Sequence, residues 1–233
     1  MLAFPYICRP NKDFVEIIEF EMFGLNLQEP MALVTNWLIA SFSFYAFFRL
    51  KKNETQFQDY WKMFYLMLGI SMLFGGLGHL FYQYWGIPGK FPCWSLGISA
   101  GIYSSFAMIS VWPNKKQQVN FRRFVLIKSV LLLTLAFATQ KFLFVAIDTT
   151  LAYLFFCGYL AYKLFKKNYV GMKYISLGVL VLLPSAFIFG LQINIHRFLN
   201  KDDLSHLFMV ACIVMFYIGV KRTDKAQIMS VAD

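Results

Sequence analysis

The chain has 233 residues, of which 59% are hydrophobic, 19% are aromatic and only 15% are charged. This composition excludes an ordinary water-soluble domain, in which about a quarter of the residues carry charge, and predicts a protein whose main solvent is lipid. The formal net charge of +10 requires no nucleic-acid partner, because the basic loops of a membrane protein face the anionic inner leaflet.

The N-terminal segment 1–29 has neither the basic start nor the apolar run of a signal peptide, so we expect it to stay attached outside the membrane. From Asn11, apolar side chains such as Phe14, Ile18 and Met22 recur on one helical face, which predicts a short interfacial helix. Such a helix would either cap the first span or lie over the outer mouth of the bundle as a lid.

Seven mostly apolar stretches follow, each of roughly 20 residues and therefore long enough to cross a hydrocarbon core as a helix. They lie at 30–49, 61–85, 93–112, 123–139, 141–163, 173–194 and 203–220. The division of the fourth from the fifth rests on Thr139, Gln140 and Lys141, and the alternative is six spans with a re-entrant segment. We predict an all-α fold, a bundle of seven transmembrane helices over residues 30–220.

The cations give the orientation of this bundle, because Lys and Arg in short loops are retained in the cytoplasm. Of the 22 Lys and Arg residues, 16 fall in alternate regions, and those regions are 49–62, 115–128, 163–173 and 221–225. With an odd number of spans, this bias places the N-terminus outside and the tail 221–233 in the cytoplasm. We expect the protein in a cell membrane, of the bacterial inner-membrane type, with membrane lipids as its neighbours.

The four cysteines do not have the spacing of a metal site. Cys157 and Cys212 fall within predicted spans and are expected to be packing residues. Cys8 and Cys93 both fall on the outer side, where a disulfide between them would form if that compartment is oxidising.

Polar side chains inside the predicted spans are costly to bury and therefore indicate function or mutual pairing. Counted from the cytoplasmic cations, they share one layer about 20 to 28 Å up, in the outer half of the membrane. The layer contains Asn36, His79, Ser99, Asp148, Gln192, Asp202, Asp203 and His206. The inner half offers scattered Ser and Tyr and the boundary residue Lys128. This one-sided polarity predicts a cavity that opens outward or toward the outer leaflet.

Several classes of membrane protein fit this pattern poorly. Transporters and channels need a polar lining through the midplane. A retinal photoreceptor is disfavoured because the last span, 203–220, contains no lysine for a Schiff base.

The seventh span begins with Asp202 and Asp203, which stand four and three residues before His206. At this spacing both carboxylates share a helix face with the imidazole, so that they could ligate one metal with it or fix its tautomer. The alternative is that the aspartates cap the helix. His79 follows Gly75, Gly76 and Gly78, a face that suits either tight helix packing or close approach of a ligand.

These residues resemble the CREST superfamily, which includes the alkaline ceramidases and the progestin and adiponectin receptors. The resemblance rests on a histidine at the outer end of the second span, a small polar residue before it and a histidine that starts the seventh span, and these are His79, Ser71 and His206. Three further stretches also resemble a group of uncharacterised bacterial membrane proteins, namely Glu29-Pro30 with Thr35-Asn36, Gly75 to His79, and Asn200 to His206.

The resemblance implies a zinc ion held by His79, Asp202 and His206, and hydrolysis of a lipid amide or ester. Asp203 would take the proton as water attacks, and Asn36 or Ser99 would donate to the oxyanion. The sequence departs from the superfamily pattern, since Asp202 replaces a histidine and Ser71 is eight rather than four residues before His79. The other hypothesis is a non-catalytic receptor or small-ligand binding protein that uses the same layer.

Overall fold

The computed structural model describes residues 17–51, 55–196 and 198–223. The chain there begins with strands β1 (Glu19–Met22) and β2 (Leu25–Gln28) and is helical for most of the remainder. The helices are α1 (Pro30–Arg49), α2 (Gln56–Leu80), α3 (Tyr82–Trp85), a 3-10 helix (Ile87–Lys90), α4 (Phe91–Ser110), α5 (Lys115–Thr139), α6 (Leu143–Leu151), a π-helix (Ala152–Leu160), α7 (Ala161–Phe165), α8 (Val170–Gly190) and α9 (Lys201–Arg222).

The all-α prediction is confirmed for the bundle, and a long helix lies at each predicted span. Within the described residues, five helices are long and apolar enough to cross a membrane, and they are α1, α2, the rod from Leu143 to Phe165, α8 and α9. α4 and α5 occupy the places of the third and fourth predicted spans. α5 carries charge well into its length, at Arg122, Arg123 and Lys128.

The predicted N-terminal helix is wrong over its described part, where residues 19–28 form an antiparallel hairpin instead. Phe23 and Gly24 have φ values of 54° and 73°, and two positive φ angles in succession are what a type I′ hairpin turn requires. The strands also alternate in polarity, because Glu19 and Glu21 leave Phe20 and Met22 on the opposite face. The first half of the predicted helix, and Cys8, lie outside the described residues.

Glycines let α8 and α9 pack closely. A Cβ added to Gly219 of α9 would lie 2.8 Å from the backbone oxygen of Gly171 and 2.6 Å from Cγ1 of Ile175 on α8. The Gly171 oxygen belongs to the α8 backbone and cannot move without displacing that helix, so the two helices approach closely, as small-residue interfaces in membranes do. This contact helps to position α9, which carries three of the predicted site residues, Asp202, Asp203 and His206.

The central core is aromatic and joins α2 to α9. Trp61 and Phe64 of α2 pack against Phe216 of α9, with ring centroids 5.2 and 6.2 Å apart. All three side chains are fully buried. The hydroxyl of Tyr65 donates to the backbone oxygen of Ile213 at 2.8 Å, which satisfies a polar group in the middle of this core.

We expect Gly219→Ala to lower the free energy of unfolding by about 1–3 kcal/mol, as overpacking of a tight interface does. Thermal unfolding in detergent measures the change. Gly190→Ala is the matched control, because nothing lies within 4 Å of the Cβ it would add, and it should leave the melting temperature unchanged or slightly raised. Equal melting temperatures for the two variants would contradict the close packing of α8 on α9.

Candidate functional site

The hairpin leads directly into a group of polar side chains that we call the hairpin-end cluster. Its members come from the ends of α1, α2 and α9 and from the turn before α4, and they are Glu29, Thr35, His79, Lys90, Asp202, Asp203 and His206. The ends meet because α1, α2 and α9 pack side by side. Glu29 turns the chain from β2 into α1 with a left-handed backbone, φ 49°, and its N–H donates to the backbone oxygen of Ile18 at 2.9 Å.

Glu29 and Lys90 hold opposite sides of the His79 ring. Nδ1 of His79 lies 2.6 Å from Oε2 of Glu29, and Nε2 lies 3.4 Å from Nζ of Lys90. A lysine ammonium can only donate, so Nε2 faces it as an acceptor and Nδ1–H donates to the carboxylate. Both ring nitrogens of His79 therefore have partners within the chain.

Burial and the charges of neighbouring residues change the pKa values of Glu29 and Lys90. Burial raises the pKa of the Glu29 carboxyl, but the hydrogen bond and charge of His79, with Lys90 and Lys201 nearby, outweigh it and lower the pKa overall. Burial lowers the pKa of Lys90, and attraction to Glu29 and Asp202 offsets this only in part. Lys90 is thus a half-buried cation that its surroundings do not fully stabilise.

A second set of hydrogen bonds joins α1 to α9. Oγ1 of Thr35 lies 2.8 Å from Nδ1 of His206 and 3.2 Å from Oδ1 of Asp203. If the hydroxyl donates to the carboxylate, the imidazole must donate to the hydroxyl, so that Nδ1 carries the proton and Nε2 the lone pair. Thr35 and Asp203 are buried, which makes this arrangement part of the α1–α9 contact.

Asp203 also caps its own helix. Its Oδ2 accepts from the backbone N–H of Asn200 at 3.3 Å, while Oδ1 of Asn200 accepts from the N–H groups of Asp202 and Asp203. This reciprocal arrangement is a capping box. The capping alternative therefore describes Asp203, both of whose oxygens have partners, better than the role of a free general base.

The two predicted oxyanion donors bond within their own helices. Nδ2 of Asn36 donates to the backbone oxygen of Ala32 at 2.7 Å, and Oγ of Ser99 donates to that of Ser95 at 2.9 Å. Asn36 faces the glycine side of α2, where a Cβ on Gly75 would come within 2.8 Å of its Oδ1. Gly75 and Gly76 therefore serve packing of α2 against α1, whereas Gly78 lies against Gly89 and Lys90 of the 3-10 helix.

Ser71 bonds away from His79, since its hydroxyl donates to the backbone oxygen of Cys93 at 2.8 Å. Cys93 lies at the start of α4, and its predicted partner Cys8 is outside the described residues. Ser71 therefore links α2 to α4.

The zinc ligands predicted from the sequence, His79, Asp202 and His206, do not form a three-ligand site in this arrangement. Among the described residues, no group of three or more His, Cys, Asp or Glu could hold a metal ion. The ammonium of Lys90 also faces Nε2 of His79, and a cation at that nitrogen repels a metal dication. The residues present do not fit the implied zinc.

A separate polar pair lies deep between α5 and α6. Nζ of Lys128 donates to Oδ1 of Asp148 at 2.5 Å and to its backbone oxygen at 3.0 Å, and Oγ of Ser129 donates to the same Oδ1 at 2.8 Å. The Asp148 side chain is fully buried and that of Lys128 is 7% exposed. The π-helix begins four residues after Asp148.

The sequence predicts a boundary position for Lys128, and the structure buries this lysine against Asp148. The connection between α5 and α6 lies at Gln140. Lys128 lies about three helical turns before this connection, and Asp148 lies about two helical turns after it. The long, flexible lysine stem covers the difference. Two opposite charges at similar distances from the connection between two helices were the signal that could have identified this pair.

Sequence reasoning also assigned no role to Glu29, Thr35 or Lys90. Each lies next to a predicted span end on the side where His79 and His206 were placed. A carboxylate and a lysine at neighbouring helix ends are candidates for pairing with an imidazole at the same level. That consideration would have identified Glu29 and Lys90, whereas the Thr35 contact depends on the rotation of α1 against α9.

In the part of the chain that the structure describes, five apolar helices of spanning length and buried polar groups paired between helices are the features of a helical membrane protein. The chain belongs to a family of unknown function, DUF6962, which it matches over residues 31–225. Neither a curated protein nor a solved structure matches it. The family match covers every helix and all of the hairpin-end cluster except Glu29.

We expect Glu29→Gln to lower thermal stability at pH 7, because a hydrogen bond to a charged group contributes about 1.5–3 kcal/mol. The folded pKa of Glu29 is lowered, so its contribution is present above the ordinary carboxyl pKa of about 4.3 and is lost as the pH falls through the folded value. The difference between wild type and variant should therefore close below about pH 4.

Glu21→Gln is the control, because Glu21 is an exposed carboxylate on the same hairpin. It should leave the melting temperature unchanged at both pH values. A Glu29→Gln deficit that persists undiminished at acid pH would show that the carboxylate charge is not its cause.

For the deep pair, Lys128→Met should destabilise the protein by about 3–5 kcal/mol, because it leaves the Asp148 carboxylate buried without its counter-charge. The double variant Lys128→Met with Asp148→Asn removes both charges and should recover most of that loss. Thermal or denaturant unfolding of the three proteins in one detergent measures the coupling. A double variant as unstable as the single one would mean that the ion pair is not the relevant interaction.

Proposed function

We propose that the chain is a multi-pass protein of the cell membrane that binds the headgroup of an outer-leaflet phospholipid at its hairpin-end cluster, without catalysis. In this proposal all seven long helices cross the bilayer, with the N-terminus outside and the C-terminus in the cytoplasm. The cation bias across alternate loops supports that orientation. This orientation would put the hairpin-end cluster at the outer surface of the membrane.

The observation that carries the proposal is the small number of contacts that the Lys90 ammonium makes. Its ammonium has three N–H donors, and within the described residues it makes one long contact, to His79, and lies 5.1 Å from the centroid of the Tyr82 ring. A half-buried cation with unused donors favours an anionic ligand group. Phosphate is the anion that a membrane surface supplies in greatest amount.

Aromatic residues beside Lys90 support a lipid as the source of that phosphate. Tyr82, Tyr84 and Trp85 of α3 are all exposed, and Tyr and Trp collect at the level of the lipid headgroups. Glu29 and Asp202 lie close enough to Lys90 to act on its charge. Their carboxylates are suited to the ammonium of a zwitterionic headgroup such as phosphatidylethanolamine.

Hydrolysis of a lipid amide or ester is the second candidate. It is favoured by the presence of His79 and His206 in one cluster beside Lys90, where a bound headgroup would bring acyl carbonyls near both imidazoles. It ranks second because Lys90 would have to leave Nε2 of His79 before that nitrogen could bind zinc. Release of fatty acid from a bound lipid, abolished by His206→Ala, would favour it.

We expect Lys90→Gln to weaken binding of phosphatidylethanolamine roughly tenfold, since loss of a charged hydrogen bond of about 1.5 kcal/mol corresponds to about that factor. The measurement is native mass spectrometry of delipidated protein titrated with phosphatidylethanolamine. Lys141→Gln is the control, because Lys141 is an exposed cation expected on the same side of the membrane.

Equal lipid occupancy in wild type and Lys90→Gln would refute headgroup binding at this cluster. A parallel titration with inorganic phosphate separates the two sources of the anion. If inorganic phosphate displaces the lipid from wild type at equal concentration, the site recognises a soluble anion and the lipid proposal is wrong.

A further inference from the structure

The hairpin has two faces of opposite character. Cross-strand pairing puts Phe20 opposite Leu27 and Met22 opposite Leu25, while Glu19 pairs with Gln28 and Glu21 with Asn26. Because side chains alternate across a strand, the first two pairs form an apolar face and the last two a polar face. This hairpin is therefore amphipathic, as a segment that lies on a membrane surface would be.

The apolar face is covered at its root and exposed at its tip. Leu27 is 2% exposed, whereas Met22, Leu25 and the turn residue Phe23 are 45%, 42% and 92% exposed. The hairpin is also tied to α3, because the N–H of Asn26 donates to the hydroxyl of Tyr84 at 3.0 Å. We call Met22, Phe23 and Leu25 the hairpin tip.

We infer that the hairpin tip is a membrane-docking surface that inserts into the headgroup region of the outer leaflet. Aromatic and aliphatic side chains that are exposed together raise the free energy of the protein in water, and transfer to an apolar environment lowers it. The short helix α3 packs against β2 and carries the exposed rings of Tyr84 and Trp85, which have the character of interfacial residues. The bilayer thus meets the hairpin and α3 as one surface.

The depth of insertion follows from the hairpin backbone. Its outer strand edges have no pairing partner among the described strands, and unpaired N–H and C=O groups cannot enter the hydrocarbon core. The four-residue strands extend about 14 Å, and the carboxylates of Glu19 and Glu21 must remain in water. We therefore expect the tip to stop among the headgroups, above the acyl chains.

The consequence concerns the candidate site, because β2 runs into Glu29 without a break. A tip anchored in the leaflet fixes the hairpin and thereby holds the Glu29 carboxylate against His79. This inference rests on the proposed placement of the chain in the membrane. It does not depend on lipid binding at Lys90.

Tryptophan fluorescence of Phe23→Trp in phospholipid nanodiscs tests this docking. The emission added by the substitution should be shifted to the blue relative to water, and lipids brominated near the headgroup should quench it at least twice as strongly as lipids brominated near the acyl end. The substitution is at an exposed position and keeps an aromatic ring, so folding should be preserved.

Leu180→Trp is the reference, because Leu180 lies midway along α8 with 57% of its surface exposed. Deep bromines should quench it if the bundle is in the bilayer, which tests the membrane placement separately. If Leu180→Trp is quenched and Phe23→Trp emits as in water without quenching, the docking inference is wrong. It is also wrong if Phe23→Trp emits in the blue in nanodiscs but neither brominated lipid quenches it, since that result indicates cover by protein and not by lipid.

Discussion

A polar group inside a hydrocarbon solvent must find its hydrogen-bond partner within the chain, and this constraint organises the structure. Asp148 is paired with Lys128 across α5 and α6, and Thr35 with Asp203 across α1 and α9. Each pair joins helices that van der Waals packing alone would leave free to rotate. The polar residues thus specify which helix faces meet.

The same constraint explains how much could be predicted from sequence. Apolar length identified the helices, and α1 begins and ends as predicted, whereas α5 begins at Lys115 rather than near residue 123. Asn114 caps α5 there by accepting from the N–H of Gln117, so the helix continues through a basic stretch that an apolar window does not include. Capping chemistry and hydrophobic length are independent signals at a span boundary.

The sequence did not predict the contacts of the candidate site residues. Depth counting placed His79, Asp203 and His206 at one end, and the structure joins Asp203 to His206 through Thr35. Which nitrogen faces which partner depends on helix rotation to within a fraction of a turn, and one sequence does not contain that information. The hairpin was missed for a different reason, because Phe23-Gly24 is not one of the usual I′ turn pairs, and the apolar residues before it also fit a helical period.

The pairing of His79 with Glu29 and Lys90 is the central claim, because it gives both nitrogens of this imidazole partners within the chain and leaves neither open to a metal ion. Elemental analysis of protein purified under metal-replete conditions tests it most directly, with wild type compared against His79→Ala and His206→Ala. The account predicts no metal in stoichiometric amount and no difference among the three proteins. Zinc near one equivalent in wild type, abolished by both substitutions, would contradict it and restore the hydrolase hypothesis.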